Sequence, residues 1–178
     1  MIAFEKAFKD VVMLEGGYVD NPYDSGGKTK YGITEEVARK HHYKGGMKDF
    51  TKPFAKHIYK VDYWDPLYLD EVAAVSRDVA LELFDSCVNM GPDRATDFLQ
   101  RSLNVLNVRE RVYDDLTLDG VMGPATLGAL RKHVEHRGSA EVLYKMLNVL
   151  QGAFYVNLAE RREKDQTFIY GWFKHRVK

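Results

Sequence analysis

The sequence contains one cysteine, no surplus of either charge and no long apolar run, and each absence excludes a class of protein. Cys87 has no second cysteine with which to form an intramolecular disulfide, and its place beside Leu83 and Val88 predicts a small core residue. No CxxC pair and no His-x-x-x-His spacing offers a metal cage. We therefore expect no metal ion and no cofactor.

Charge and hydropathy exclude two further classes. The 26 basic and 26 acidic residues cancel, so no overall field attracts nucleic acid or anionic lipid. No stretch approaches the roughly 20 apolar residues of a membrane span, and the N-terminus lacks the pattern of a cleavable signal. We expect neither a nucleic-acid partner nor stable membrane insertion. The basic tail from Arg161 to Lys178 predicts either a contact with an anionic surface or a solvated helix face.

Helical periodicity dominates the chain. Its 45% hydrophobic content with only 5 prolines favours a folded core. Apolar residues recur at helical spacing, and Thr34, Thr51 and Ser76 stand where helix N-caps are expected. The predicted helices span residues 4–15, 34–43, 51–64, 76–90, 92–106, 124–133 and 139–162.

Strand-like alternation is weak and confined to residues 18–33, where glycines allow a small hairpin to turn. We therefore predict a mainly α fold with a small β-hairpin or irregular element after the first helix. No linker is visible near residue 92, so the chain is expected to pack as one compact body.

Glu15 ends the first predicted helix at a position where a charged side chain is unexpected. At about 100° per residue from Phe4, it falls at about 20°, within the apolar stripe that contains Phe8 and Val11. Burial and the negative end of the helix dipole both disfavour the ionised carboxylate, so the pKa of Glu15 is expected to rise. A protonated acid is what lysozyme-type glycosidases use to protonate a glycosidic oxygen. The alternative is an exposed acid where the helix frays.

A second carboxylate and a hydroxyl follow in the turn that begins at Asp24 and reaches Thr29. Glycosidases need two such groups across the scissile bond, or one acid and a held water. As a plain turn, the Asp-Ser-Gly-Gly sequence at residues 24–27 is equally ordinary.

Other chemistries fit the same residues less well. Gly27-Lys28-Thr29 imitates the end of a phosphate-binding loop, but Pro22 stands where that loop needs glycine, and a helix precedes it rather than a strand. The neighbouring acids lack the closing glutamate of an EF-hand. No G-x-S-x-G sequence anchors a nucleophilic serine.

Several stretches together resemble one enzyme family. EGGY at residues 15–18 and DSGGKTKYGIT at 24–34 are similar to the signature of glycoside hydrolase family 108, the N-acetylmuramidase endolysins of phages and their bacterial relatives. IYKVDYW at 58–64, VNMGP at 88–92, and Gly171-Trp172 with Arg176 agree in order. DGVMGPAT at 119–126 resembles the DG-x-x-GP-x-T motif of the associated peptidoglycan-binding region.

The resemblance implies a lysozyme-like helical fold, with residues 1–91 as the catalytic region and 92–178 as a helical peptidoglycan-binding region. It implies that Glu15 is the catalytic acid, with Asp24 and Thr29 in an arrangement similar to that of other phage lysozymes. The gap from Asp24 to Thr29 is one residue shorter than the commonest spacing, so Thr34 is a substitute for Thr29.

Substrate contacts are expected around the same turn. Tyr18, Tyr23 and Tyr31 either line a sugar cleft or serve as half-buried packing. The VNMGP stretch adds Asn89 to the expected substrate-binding residues.

The implied function is hydrolysis of the β-1,4 bond between N-acetylmuramic acid and N-acetylglucosamine in bacterial peptidoglycan. Two alternatives remain: a lytic transglycosylase that uses one acid and no water, and a non-catalytic peptidoglycan-binding protein. The phage role implies a monomer that accumulates in the host cytoplasm and reaches the periplasmic wall through a holin. Retention or inversion at the anomeric carbon depends on the separation of the two carboxyl groups.

Overall fold

The structure is a computed structural model that describes residues 3–15, 17–19 and 27–178, with the side chains of residues 13–15 outside the description. Nine α-helices and one two-stranded antiparallel sheet form the regular structure of the described residues. In chain order they are α1 (Ala3–Glu15), β1 (Thr29–Lys30), β2 (Ile33–Thr34), α2 (Glu35–Lys40), α3 (Lys52–Tyr59), α4 (Leu69–Val75), α5 (Arg77–Met90), α6 (Pro92–Leu106), α7 (Pro124–Arg137), α8 (Glu141–Arg161) and α9 (Gln166–His175).

This architecture confirms the predicted mainly α, lysozyme-like fold with a small β element after the first helix. Three short 3-10 turns, at Met47–Asp49, Asp65–Leu67 and Glu163–Asp165, connect the helices. None of the described helices combines the length and the apolarity that a membrane span requires.

The predicted N-caps start helices as expected. The hydroxyls of Thr34, Thr51 and Ser76 each accept a hydrogen bond from a backbone amide three residues later, at 3.3, 3.4 and 3.4 Å, and open α2, α3 and α5. Helix α2 ends at Lys40, three residues before the predicted end, because His42 adopts a left-handed backbone conformation with φ 62°. A residue with that backbone conformation does not continue a right-handed helix.

Two helices and one irregularity were not predicted. The segment predicted as one helix over residues 51–64 is α3 followed by a π-helical turn, Lys60–Trp64. Helix α4 is only 7 residues long, and α9 has no fully buried residue, so neither gives a clear apolar stripe. Helix α9 is held by contact with α8, where the rings of Tyr155 and Trp172 stack with centroids 4.7 Å apart.

The apolar stripe of α1 packs into the core, as its spacing predicts. Phe4, Phe8, Val11 and Val12 are all buried. The ring of Phe4 lies 5.2 Å from that of Trp64, and Phe8 lies 5.6 Å from Tyr59. Cys87 is fully buried, so its predicted core position is confirmed.

Helix α5 is the element on which both halves of the chain meet. It packs against α1 and α4 from the first half of the chain and against α6 and α8 from the second. The C-terminal tail returns to it: Arg176 Nη1 donates to Asp85 Oδ1 at 2.8 Å, and Gln151 Nε2 donates to the other oxygen at 2.7 Å. This part of the basic tail is therefore a buried ion pair, whereas Arg161, Arg162, Lys164 and Lys174 are exposed.

Glu82 on α5 is enclosed at the same junction, with 1% of its surface exposed. Burial, with a smaller contribution from the negative charge of Asp85, raises the pKa of Glu82 to about 8, against the opposing charge of Lys178. The carboxyl is therefore protonated in the folded protein at neutral pH, whereas it is ionised in the unfolded chain.

We expect Glu82 to contribute a fall in the free energy of unfolding as pH rises from about 4.5 to about 8, by at most about 1.4 kcal/mol per pH unit, because the folded state holds this proton more tightly. The lowered pKa of buried His133 contributes in the opposite direction. Glu82→Gln keeps the shape and removes its own titration, so the free energy of unfolding of this variant, measured by urea denaturation, should fall less with pH than that of wild type. The exposed Glu141→Gln serves as the control and should keep the wild-type slope. An undiminished slope in Glu82→Gln would contradict the assignment.

Candidate active site

The expected catalytic acid, Glu15, is the last residue of the first helix. Helix α1 ends at Glu15, so the acid stands at a helix C-terminus, four residues before Val19. The carboxyl of Glu15 lies outside the described residues, as do Asp24 and Tyr23, so their expected roles stay predictions. Four residues of chain span at most about 14 Å, so the Cα of Glu15 lies within that distance of the Cα of Val19.

A backbone pair joins Val19 to Thr29, the first residue of β1. Val19 N–H donates to the Thr29 carbonyl at 2.8 Å, and Thr29 N–H donates to the Val19 carbonyl at 2.9 Å. Residues paired in this way hold their Cα atoms about 5.5 Å apart. Val19 and Thr29, which flank the segment that contains Asp24, therefore lie side by side, and Val19 is four residues from the end of α1.

Strands β1 and β2 form a tight hairpin next to the Val19–Thr29 pair. Their register pairs Thr29 with Thr34 and Lys30 with Ile33. The two turn residues, Tyr31 and Gly32, have φ values of 54° and 74°, the pattern of a type I′ turn. Tyrosine is strained in that conformation, and the Tyr59 hydroxyl supports it by donating to the Tyr31 carbonyl at 3.2 Å.

The two threonine candidates differ in the hydrogen bonds that their hydroxyls make. Thr29 and Thr34 lie directly opposite each other, so their side chains share one face of the hairpin. The hydroxyl of Thr34 accepts the capping hydrogen bond of α2. The hydroxyl of Thr29 makes one hydrogen bond to another described residue, a long one of 3.4 Å to the Gly27 carbonyl. Thr29 is therefore the more available of the two for a ligand.

Tyr18 and Tyr31 are packing residues with part of each side chain exposed, and their expected contact with sugars stays a prediction. Each ring has an ammonium group near it: Lys48 Nζ lies 5.9 Å from the centre of Tyr18, and Lys30 Nζ lies 5.5 Å from that of Tyr31. The Lys30 ammonium also donates to the Lys48 carbonyl. The hairpin therefore presents an aromatic surface with two cations.

Sequence reasoning missed Lys30 and Lys48. Lys30 lies inside the DSGGKTKYGIT stretch. Its place next to Thr29 in a short predicted strand was the signal that could have indicated a role at the hairpin. Lys48 lies 18 residues further along the chain, in the 3-10 turn Met47–Asp49, and only the packing of that turn against β1 brings it to the hairpin.

Asn89 lies in the last turn of α5, away from the hairpin in sequence. Its amide N–H donates to the Asp85 carbonyl of its own helix at 2.6 Å. None of the described residues donates a hydrogen bond to the amide oxygen. No hydrogen bond joins Asn89 to the described residues of the hairpin, so its predicted contact with substrate stays a prediction.

The DGVMGPAT stretch is a packed turn in front of α7. Gln100 Nε2 donates to Asp119 Oδ1 at 2.8 Å, and Gln100 Oε1 accepts from Gly120 N–H at 3.1 Å. The hydrogen bond from Gln100 holds the pKa of Asp119 below its usual range. A Cβ on Gly120, whose φ is 69°, would come within 3.0 Å of the Asp93 carbonyl oxygen. The motif thus fixes the turn to the start of α6.

Histidines and acids do not gather into a metal site in the part of the chain that the structure describes. His41 Nε2 lies 2.9 Å from Asp62 Oδ2, and the His41 ring meets that of His57 edge-on with centroids 6.5 Å apart. His133 is buried, and burial lowers its pKa, with the charge of Arg137 adding to the effect.

Comparison with known proteins gives two successive matches along the chain. The family described as glycosyl hydrolase 108 matches residues 8–91, and the family described as a predicted peptidoglycan domain matches residues 94–177. Among solved structures, the chain is similar to SagA of Brucella abortus, with 30% sequence identity and a TM-score of 0.67 over 96% of this chain and 87% of that one. No curated protein matches the chain.

Replacing the two opposed threonines should separate their structural roles. Thr34→Ala removes the cap of α2 and should lower the free energy of unfolding by about 1 kcal/mol. Thr29→Ala removes only a long, half-exposed hydrogen bond and should change it by less than about 0.5 kcal/mol. Urea denaturation of both variants measures the difference. Equal losses would show that the hydroxyl of Thr29 is as structural as that of Thr34.

Proposed function

Because this chain belongs to glycosyl hydrolase family 108, with a peptidoglycan domain after the hydrolase region, we propose that Glu15 is the general acid with which it cleaves bacterial peptidoglycan. The protein is a peptidoglycan hydrolase of the lysozyme type, an N-acetylmuramidase. The bond cleaved is the β-1,4 linkage between N-acetylmuramic acid and N-acetylglucosamine. The observation that carries the role of Glu15 is its place at the end of α1, four residues before Val19, whose backbone pairs with Thr29 at the start of the hairpin.

The proposed reaction begins with proton transfer from Glu15 to the glycosidic oxygen. The bond from that oxygen to the anomeric carbon breaks, and positive charge develops on the sugar ring. Asp24 stabilises this charge or directs the water whose oxygen attacks the anomeric carbon, and Thr29 helps to hold the water. The proton that this water loses passes to Asp24 or to the now ionised Glu15. Carboxyl groups about 5 Å apart would give retention, and a separation of roughly 6.5–9.5 Å would give inversion.

The surface around the hairpin suits this substrate. The half-exposed rings of Tyr18 and Tyr31 offer faces for sugar rings, and we place Tyr23 of the same turn with them. The ammonium groups of Lys30 and Lys48 attract the carboxylates of the peptide stems. We assign the amide oxygen of Asn89 to an acetamido or hydroxyl group of the glycan.

Glu15→Gln should lower the rate of peptidoglycan hydrolysis by about two to four orders of magnitude, because glutamine is close in shape but cannot donate the proton. Release of reducing sugar from purified sacculi measures the rate, with circular dichroism as the check of folding. Glu141→Gln, an exposed change of the same kind, should leave the rate unchanged. A folded Glu15→Gln variant as active as wild type would remove Glu15 from the chemistry.

The same digests separate the two alternative functions. Hydrolysis adds water, so mass spectrometry should show reducing muropeptides, and Asp24→Asn should reduce their yield strongly. A lytic transglycosylase would release anhydro-sugars lighter by one water and would tolerate Asp24→Asn. A non-catalytic protein would bind sacculi and release neither product.

We further propose that the enzyme acts as a phage endolysin. In this role it is a monomer that is made in the host cytoplasm, reaches periplasmic peptidoglycan through a holin and lyses the cell. The resemblance to the phage enzymes of the family supports the role.

Expression in a Gram-negative host with and without a pore-forming holin tests this role. Lysis should follow only when both proteins are present, and Glu15→Gln with the holin should not reproduce it. Lysis without the holin would instead indicate an exported bacterial wall enzyme.

A further inference from the structure

Helices α6 and α8 enclose a groove in the half of the chain that follows the hydrolase region. It has a volume of about 320 Å³. Residues at helical spacing on each wall line it: Arg94, Phe98 and Arg101 on α6, and Phe154, Asn157 and Arg161 on α8. The groove is separate from the hairpin and from the DGVMGPAT turn, because it shares no lining residue with either.

Its floor is apolar and its rim is cationic. The rings of Phe98 and Phe154 lie 6.4 Å apart, and the guanidinium of Arg94 lies 5.7 Å from the centre of Phe154. Phe98 is buried, whereas the side chains of Arg94 and Arg101 are 49% and 48% exposed. Such a surface combines apolar contact with guanidinium groups that water and ligands can reach.

The three guanidinium groups are only partly neutralised. Asp97 approaches Arg94 and Arg101 at 3.8 and 3.6 Å, so one carboxylate is shared by two cations at the outer limit of an ion pair. Arg161 has no acidic partner among the described residues. None of the described residues that line the groove is acidic.

Charge distinguishes this groove from the larger cavity of about 560 Å³ beside the DGVMGPAT turn. That cavity is lined by Asp114, Asp115 and Asp119, with Lys132 as its one basic side chain among the described residues. The peptide stems of peptidoglycan carry free carboxylates, which the acidic cavity repels. Guanidinium groups, in contrast, pair with carboxylates through two parallel hydrogen bonds.

We propose that the groove between α6 and α8 binds the carboxylate-bearing peptide stem of peptidoglycan. Arg94, Arg101 and Arg161 pair with the stem carboxylates, while Phe98 and Phe154 pack against its aliphatic side chains and Asn157 bonds its amides. This inference rests on the proposed function for the identity of the polymer. It adds a second binding site for the wall, separate from the site where the sugars react, and gives the chemical basis of that binding.

The test uses the full chain with Glu15→Gln, so that sacculi are not digested during binding. Substitution of Arg94, Arg101 and Arg161 by glutamine should weaken co-sedimentation with intact sacculi by at least about tenfold, because three charge-assisted contacts are lost. The same variant should bind glycan strands stripped of their stems by an amidase as well as its parent does. Added salt should weaken the parent's binding to intact sacculi more than that of the variant.

The matched control replaces Arg77, Arg111 and Arg131, which are exposed outside the groove, by glutamine. It changes the net charge equally and should leave binding intact. Equal losses in both triple variants would mean diffuse charge attraction, and no loss in the groove variant would mean that the stem binds elsewhere. Either result overturns the proposal.

Three further readouts keep the proposal separable from the function on which it rests. If the groove variant loses binding to stripped strands as much as to intact sacculi, the groove binds sugars. If the parent prefers anionic lipid vesicles to sacculi, the groove binds a membrane. Either result overturns the proposal. Reducing-sugar release by the unsubstituted chain tests the proposed function alone. If the triple variant fails to fold, Arg161→Gln against Arg131→Gln gives the same comparison with a smaller loss.

Discussion

The buried side chain of Tyr59 joins the two segments that the candidate active site requires. Its ring packs on Phe8 of α1, and its hydroxyl donates to the carbonyl of Tyr31 at the hairpin turn. With 1% of its surface exposed, it has no room to change partners. The helix that ends at Glu15 and the hairpin that begins at Thr29 are therefore held by one residue of α3. A turn with a strained tyrosine is kept in place because the core supplies its hydrogen bond.

Electrostatics divides the molecule although its net charge is zero. The hairpin presents Lys30 and Lys48, the groove between α6 and α8 presents three arginines, and the cavity beside α7 is acidic. Within a Debye length of roughly 8 Å at physiological salt, such patches act independently of the total charge. A polymer with repeated sugars and anionic stems can therefore meet aromatic and cationic surfaces in both halves of the chain.

Local features of the fold were predictable because they depend on neighbours in sequence. The caps at Thr34, Thr51 and Ser76 and the buried stripe of α1 follow from side chains within one or two helical turns. Helix α9 was missed because contact with α8, rather than its own pattern, holds it. The π-helical turn at Lys60–Trp64 was missed because the apolar spacing continues through it without a break.

The sequence by itself determined the fold class, the family and the order of the candidate catalytic residues. The fold class follows from the helical spacing of apolar residues, and the other two follow from short motifs of consecutive residues. It could not choose between Thr29 and Thr34. The tertiary structure places the two threonines opposite each other and uses the hydroxyl of Thr34 as a helix cap. It also decided that Lys48 joins Tyr18, and that arginines on two distant helices share one groove. Contacts between residues far apart in the chain depend on how helices pack, which the spacing within each helix does not specify.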